Sequence, residues 1–276
     1  MAHVSVMFAR YLLPLLLVLM TAAMPVQART AMDMIAISIL PGWRMADGSR
    51  MVALHFELAP GWKTYWRAPG DAGIPPRFDW RGSRNLGAVE VLWPTPQQTT
   101  TNGLRTIGYA HDLILPVRIT PAQAGRTVTL AADIEIGVCS DICVPVETEV
   151  RLDLPRGDGK VDPRIAAALA ARPYTAAEAG VGTVACRVAP VAGGGMNLSV
   201  EIEMAQMGAQ EMVVIESGAP ELWVAQPRTD RAGGRISART QIYHVDGRGF
   251  VLDRGALRFT VLSTGDAVDI HGCTGR

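Results

Sequence analysis

The chemistry in this chain begins with two cysteines four positions apart, in the run Ile136-Gly137-Val138-Cys139-Ser140-Asp141-Ile142-Cys143-Val144-Pro145. A disulfide between them closes a very small ring, so it constrains the unfolded chain by only about 2 kcal/mol. A bond that adds so little stability is a candidate for one that opens and closes. Gly137 permits an unusual backbone angle, Ser140-Asp141 favours a turn, and Pro145 limits further strand pairing. Such a loop holds two sulfurs together when oxidised and tolerates their separation when reduced. Exchange then needs an exposed sulfur that an incoming thiolate attacks, giving a mixed disulfide. The plainer reading of the same pair is a hairpin staple.

The chain has four cysteines in all. Three pairings are possible in principle. Proximity favours Cys139–Cys143 and, by elimination, Cys186–Cys273. The second bridge closes a long loop and is worth about 4.6 kcal/mol on the same chain-entropy scale. Lying near the start and end of the C-terminal part, it reads as a structural pin, with a second redox couple as the alternative. The Cys139–Cys143 spacing is not the Cys-x-x-Cys of a thioredoxin-like active site, and no βαβ pattern surrounds it. The helix N-terminus that lowers a thiol pKa in such sites is not evident. The pair therefore reads as a passive, substrate-like couple.

Other residues carry weaker signals. Trp62, Tyr65, Trp66 and Trp80 are candidates for a docking surface, although aromatics in a β-rich segment more often fill a core or a turn. Asp71 fits a Pro-Gly-Asp turn. His111, beside Tyr109, is a candidate for tuning a nearby thiol or a plain surface histidine. Met204 and Met207, with His244, His271 and Cys273, are soft ligand types that suit copper(I), as are the thiolates of Cys139 and Cys143. Their spacing lacks zinc-finger regularity, and methionines commonly fill cores. No metal site and no cofactor are therefore expected; copper(I) binding and a non-redox interaction module with two structural disulfides stand as alternatives. No Gly-x-Ser-x-Gly, His-Glu-x-x-His, phosphate loop or dinucleotide fingerprint is present.

The elements that must position these residues are mostly strands. Segments 51–58, 113–119, 128–136 and 146–154 show β-branched or alternating patterns, and 146–154 has period two throughout. Pro60-Gly61, Pro69-Gly70-Asp71 and Thr101-Asn102-Gly103 are turn signals at the spacing of a sandwich. Residues 29–155 thus read as an immunoglobulin-like all-β domain. Residues 156–180 read as a linker with one short helix, in which Asp162 is the N-cap, Pro163 the first helical residue and Pro173 lies just past the end. Ile165 and Leu169 share a face, so the helix packs on a domain. Residues 181–276 return to a β-pattern, with strands at 196–203, 211–215 and 256–262, and predict a second, smaller sandwich.

Composition sets the context. The formal net charge is zero and 49% of residues are hydrophobic. With no Lys/Arg block, nucleic acid and anionic membrane are not indicated as partners. Arg10, the apolar run 11–20 and the small residues before Arg29 predict a cleavable export signal over residues 1–28. The run is too short to span a bilayer, so the mature chain is expected to be exported and not membrane-spanning. Disulfides fit that oxidising compartment.

Several blocks stand in a fixed order along the first domain: Gly61-Trp62-Lys63-Thr64-Tyr65-Trp66-Arg67-Ala68-Pro69-Gly70-Asp71-Ala72-Gly73-Ile74-Pro75, then Leu92-Trp93-Pro94-Thr95-Pro96. Gly108-Tyr109, Leu115-Pro116-Val117 and Cys139-Ser140-Asp141-Ile142-Cys143-Val144-Pro145 follow. In these blocks the chain resembles the periplasmic N-terminal domain of the DsbD thiol:disulfide interchange family, including its ScsB-like branch associated with copper tolerance. The resemblance implies an immunoglobulin-like fold whose catalytic couple, here Cys139 and Cys143, takes electrons from a thioredoxin-like domain and passes them to oxidised periplasmic proteins. It makes Cys143 the sulfur that forms the mixed disulfide. It also implies a cap near residues 95–109, with Tyr65, Trp66, Thr99, Asn102 and Tyr109 as cap or docking residues. The stretch 96–102 is polar and lacks the acidic and aromatic cap residues of the enterobacterial form. Well-known members continue into a multi-helix membrane domain and a thioredoxin-like domain. The partners implied are thioredoxin-like periplasmic proteins and a separate DsbD-type membrane electron carrier.

Overall fold

The computed structural model describes residues 34–101 and 104–275. The expected export signal and Asn102 lie outside the described residues. Ten strands precede the helix: β1 (Ile35–Arg44), β2 (Arg50–Leu58), β3 (Lys63–Gly70), β4 (Arg77–Asp79) and β5 (Leu86–Val91). They continue with β6 (Gln97–Thr101), β7 (Leu104–Ala110), β8 (Leu113–Pro121), β9 (Thr129–Cys139) and β10 (Cys143–Asp153). One sheet runs β1-β2-β8-β5; the other runs β10-β9-β3-β7-β6, with β4 also paired to β9. Alternation explains how they stack. Along β9 the even positions Leu130, Ala132, Ile134, Ile136 and Val138 enter the core, together with Leu54, Phe56, Leu115, Val117 and Trp66 from strands β2, β8 and β3. The odd positions, ending at Cys139, face away from it.

Helix α1 (Pro163–Ala170) starts as its sequence predicts. Asp162 accepts the backbone N–H of Arg164, Pro163 occupies the first turn, and Ile165 is fully buried. Ile165 and Leu169 pack with Leu40, Met51 and Ala53 on the outer side of the first sheet. That is why every residue of β2 except Glu57 is buried: one face meets the sandwich core and the other meets the helix. The residues before the helix are also tied down, since Arg50 Nη1 donates to the carbonyls of Pro155 and Gly157.

Ten more strands follow: β11 (Tyr174–Thr175), β12 (Val184–Pro190), β13 (Met196–Glu203), β14 (Met212–Glu216) and β15 (Leu222–Val224). The last are β16 (Arg228–Ala232), β17 (Arg235–His244), β18 (Arg258–Leu262), β19 (Ala267–His271) and β20 (Thr274–Gly275). They form a sheet ordered β11-β19-β18-β14 and another ordered β15-β17-β13-β12-β20, with β16 on β17. Strand β11 falls within the stretch expected to be linker, because its two residues pair parallel to β19.

The sheet containing β14 is covered on both faces. Val213, Ile215, Phe259, Val261, Val268 and Ile270 fill the second core. Met212, Val214, Leu262 and Ala267 instead join the core of the first sandwich. The fold is therefore all-β, an immunoglobulin-like sandwich and a second β-sandwich joined through a short helical segment and a shared apolar contact. The described residues form one compact unit.

Candidate functional site

Cys139 ends β9 and Cys143 begins β10. The two stand directly opposite each other on one rung of the hairpin and are joined as a disulfide, with Cα atoms 4.1 Å apart. Ser140, Asp141 and Ile142 make the turn, closed by the Ser140 N–H donating to the Ile142 carbonyl at 3.0 Å. Both sulfurs lie on the face of the sheet that points away from the hydrophobic core. Their surroundings differ. Cys139 is 1% exposed, whereas Cys143 is exposed on the edge strand beside an exposed Ile142. Pro145, which cannot donate to a ladder, sits on that same edge strand opposite Gly137, where the loss costs nothing.

Tyr65 accounts for the burial of Cys139. Strand β3 pairs Lys63 with Cys139 and Thr64 with Val138, so Tyr65 projects from the same outer face one rung further on. Its hydroxyl lies 2.8 Å from Cys139 Sγ and 3.2 Å from Cys143 Sγ. Disulfide sulfurs carry no proton, so the phenol is the donor to both. Burial raises the Tyr65 pKa, which keeps that proton on the hydroxyl.

Two glycines make room for the ring. A Cβ on Gly137 would sit 2.7 Å from Ile74 Cβ and 3.1 Å from Tyr65 Cδ2. A Cβ on Gly73 would sit 2.9 Å from Tyr65 Cδ1. The ring thus lies between the strand and the Gly70–Pro75 loop that folds back over it. Thr64 anchors the underlying strand by donating from Oγ1 to the Gly137 carbonyl at 2.9 Å.

The other residues singled out from the sequence fall in several places. Trp66 is fully buried in the first core, and its Nε1 has no hydrogen-bond partner among the described residues. Trp62 is also core, and Trp80 packs partly buried against it. Thr99 shares a 2.7 Å hydroxyl contact with Thr106 across the β6–β7 hairpin. Tyr109 is buried, stacks on Trp93 at 6.4 Å and donates to the Pro94 carbonyl at 2.7 Å. By register Ala110 is level with Lys63 and hence with Cys139, whereas Thr101 and Leu104 close the opposite end of that hairpin. Asp71 lies in the turn after β3 and exchanges hydrogen bonds with the backbone of Arg105 in β7. His111 is exposed, in a left-handed conformation at φ 65°. Sequence reasoning had no means of seeing the Tyr65 hydroxyl on the sulfurs, or the two glycines that admit its ring.

Cys186 and Cys273 form the second disulfide, with Cα atoms 5.8 Å apart. Cys186 is part of the second core. Its strand β12 pairs with β13 and with the C-terminal β20, so this bridge pins the sheet it lies in. Met204 and Met207 pack in or against the same core. His244 contacts Asp246 and Arg248, and His271 pairs with Asp269 at 3.4 Å. Among the described residues no cluster of three or more His, Cys, Asp and Glu side chains is placed to hold a metal ion.

Fold and site together define an immunoglobulin-like β-sandwich with a solvent-edge disulfide, followed by a second sandwich. Residues 37–155, which take in nearly all of β1 and run through β10, match the family described as thiol:disulfide interchange protein DsbD, N-terminal. Over that stretch the chain is similar to the N-terminal domain of DsbD-type thiol:disulfide interchange proteins. The crystal structure of the N-terminal periplasmic domain of ScsB from Proteus mirabilis shares the fold over both sandwiches. It is 21% identical, with a TM-score of 0.62, covering 88% of this chain and 92% of that one. The reduced DsbD N-terminal domain of Neisseria meningitidis is 17% identical, with a TM-score of 0.28, covering 48% of this chain and 92% of that one. No curated protein matches the sequence significantly. No helix among the described residues is long and apolar enough to cross a membrane.

Proposed function

We propose that this protein relays reducing equivalents in the periplasm through the Cys139–Cys143 couple, exchanging disulfides with thioredoxin-like proteins. The observation that carries this reading is the asymmetry of the bond. One sulfur is exposed at a sheet edge, and the other is buried under a hydroxyl that can stabilise it as a leaving thiolate.

In the oxidised state a partner thiolate attacks Cys143 Sγ. The Cys139–Cys143 bond breaks as the mixed disulfide forms, and Cys139 leaves as a thiolate. Tyr65 donates to that thiolate, and a hydrogen bond to an ion is about twice as strong as one to a neutral group. A second partner thiolate then attacks the partner sulfur of the mixed bond and releases Cys143. Two electrons have entered the couple and the partner is oxidised. Onward transfer reverses the roles. The Cys143 thiolate attacks a client disulfide, one client thiolate leaves, and Cys139 attacks Cys143 Sγ to expel the other. The client gains two electrons and the internal bond is restored. The donor this scheme requires is a dithiol, such as a thioredoxin-like protein that is itself reduced by a separate DsbD-type membrane carrier.

The test is the reduction potential of each bridge measured separately. The Cys139–Cys143 couple should lie well above about −300 mV, and the Cys186–Cys273 bridge below it. A hairpin couple as reducing as the buried bridge would rule out turnover. The Cys139→Ala variant should trap mixed disulfides at Cys143, and their identity names the partners.

A further inference from the structure

Two residues past Tyr65, the same strand carries a nearly buried guanidinium. Arg67 Nε lies 3.0 and 3.1 Å from the two carboxylate oxygens of Glu216 in β14. Its Nη2 donates to Thr260 Oγ1 of β18 at 3.2 Å and lies 3.9 Å from Asp269 of β19. Arg258 holds Asp269 in turn at 2.7 Å. The guanidinium also sits 3.9 Å from the centre of the Trp66 ring. Three strands of the second sandwich therefore grip β3 next to the tyrosine that covers the sulfurs.

A second set of contacts reaches the loop over the ring. Gln226, with its amide oriented to satisfy both neighbours, donates to Asp71 at 3.1 Å and accepts from Arg105 Nη1 at 3.0 Å. Arg105 Nη1 also reaches Met212 Sδ at 3.8 Å. Asp71 belongs to the Gly70–Pro75 loop whose Gly73 and Ile74 bound the Tyr65 site. Paired charges in a poorly solvated contact fix geometry, because separating them leaves an uncompensated charge.

We infer that the second sandwich is a brace that positions Tyr65 over the Cys139–Cys143 sulfurs, acting through Arg67 on one side and the Asp71 loop on the other. Tyr65 touches the reacting atoms; Arg67, Glu216 and Gln226 are positioning residues. The inference rests on the exchange reading above, since it assigns the second sandwich a part in setting how readily that couple opens.

Glu216→Gln and Gln226→Ala test it, with Glu211→Gln as a control. Glu211 pairs with Arg231 inside the second sandwich at 2.7 Å, so the control removes a buried charge from that sandwich without touching β3. The rate at which dithiothreitol opens Cys139–Cys143 should change by about threefold or more in both test variants and by less in the control. The Tyr65 ring resonances in side-chain NMR should shift in the same two variants and stay in place in the control. Rates and ring signals unchanged in the test variants, or changed as much by Glu211→Gln, would overturn the brace. If dithiothreitol fails to open the bond in the unaltered protein, the exchange reading fails, and the NMR comparison still decides the brace.

Discussion

Cys139 and Cys143 share one rung of a hairpin, yet one sulfur is enclosed beneath Tyr65 and the other stands at the free edge of the sheet. Thiol chemistry at the two positions should differ accordingly. After selective reduction of this bond, iodoacetamide should modify Cys143 about tenfold faster than Cys139, because access and thiolate character both govern the rate. Mass spectrometry of timed digests reads the ratio. Equal rates would mean that the enclosure of Cys139 does not outlast reduction.

Tyr65→Phe keeps the ring between Gly73 and Gly137 and removes only the hydroxyl. A hydrogen bond to an ionised group is worth about 1.5–3 kcal/mol against about 1 for the neutral one it grows from, so thiol-driven opening should slow by about two- to thirtyfold. The folded state loses only a neutral bond, about 1 kcal/mol. Stopped-flow reduction and urea unfolding measure the two effects separately.

Gly137→Ala should act on stability. Its new methyl would have to displace the Ile74 side chain, at 2.7 Å, or the Tyr65 ring. Overpacking of this kind costs about 1–3 kcal/mol. Chemical denaturation gives the value, and after reduction of the hairpin bond the same variant should be alkylated faster at Cys139.

Removing the other bridge gives the opposite pattern. Cys186→Ala with Cys273→Ala should cost about 2–5 kcal/mol of unfolding free energy, because Cys186 sits in the second core. Opening of the hairpin bond should keep its rate while the fold survives.

Acid should weaken the fold through carboxylates held in their charged form. Hydrogen bonds from Ser49 and then Arg118 lower the Asp47 pKa from 3.8 to about 2. The Arg172 side chain, followed by Thr175, lowers Glu178 from 4.5 to about 2. Burial acts to raise the Asp269 pKa, but Arg258 and Arg67 outweigh it and the net direction is down. A depressed folded-state pKa contributes stability that is complete above the unfolded value and is lost as pH falls toward the folded one. The thermal midpoint should therefore be level above pH 4.5 and fall between there and pH 2. High salt should flatten the decline for the exposed pairs.

Much of the scaffold is legible in the residue order. The alternation of 146–154 is the outward–inward pattern of β10, the 196–203 run coincides with β13, and Asp162-Pro163 marks the start of α1. Local patterns carry these because each depends only on neighbours in the chain. The site was half legible. Spacing marks the cysteines, but the hydroxyl over them depends on Gly73 and Gly137 meeting the two edges of one ring, a contact between three separate segments. The four apolar residues Met212–Ile215 read as a strand, and nothing in their order says that alternate ones belong to different sandwiches. Likewise the polar stretch 96–102 reveals its hairpin only through pairing with β7.

The double-sided sheet restricts what can move when a partner arrives. Swinging the sandwiches apart would wet Met212, Val214, Leu262 and Ala267 and strand the Arg67 charge, so a hinge between them is disfavoured. Any rearrangement that accompanies exchange at the sulfurs would therefore be small and local. The two sandwiches form one stiff block, and the loop over Tyr65 is tied to it through Asp71.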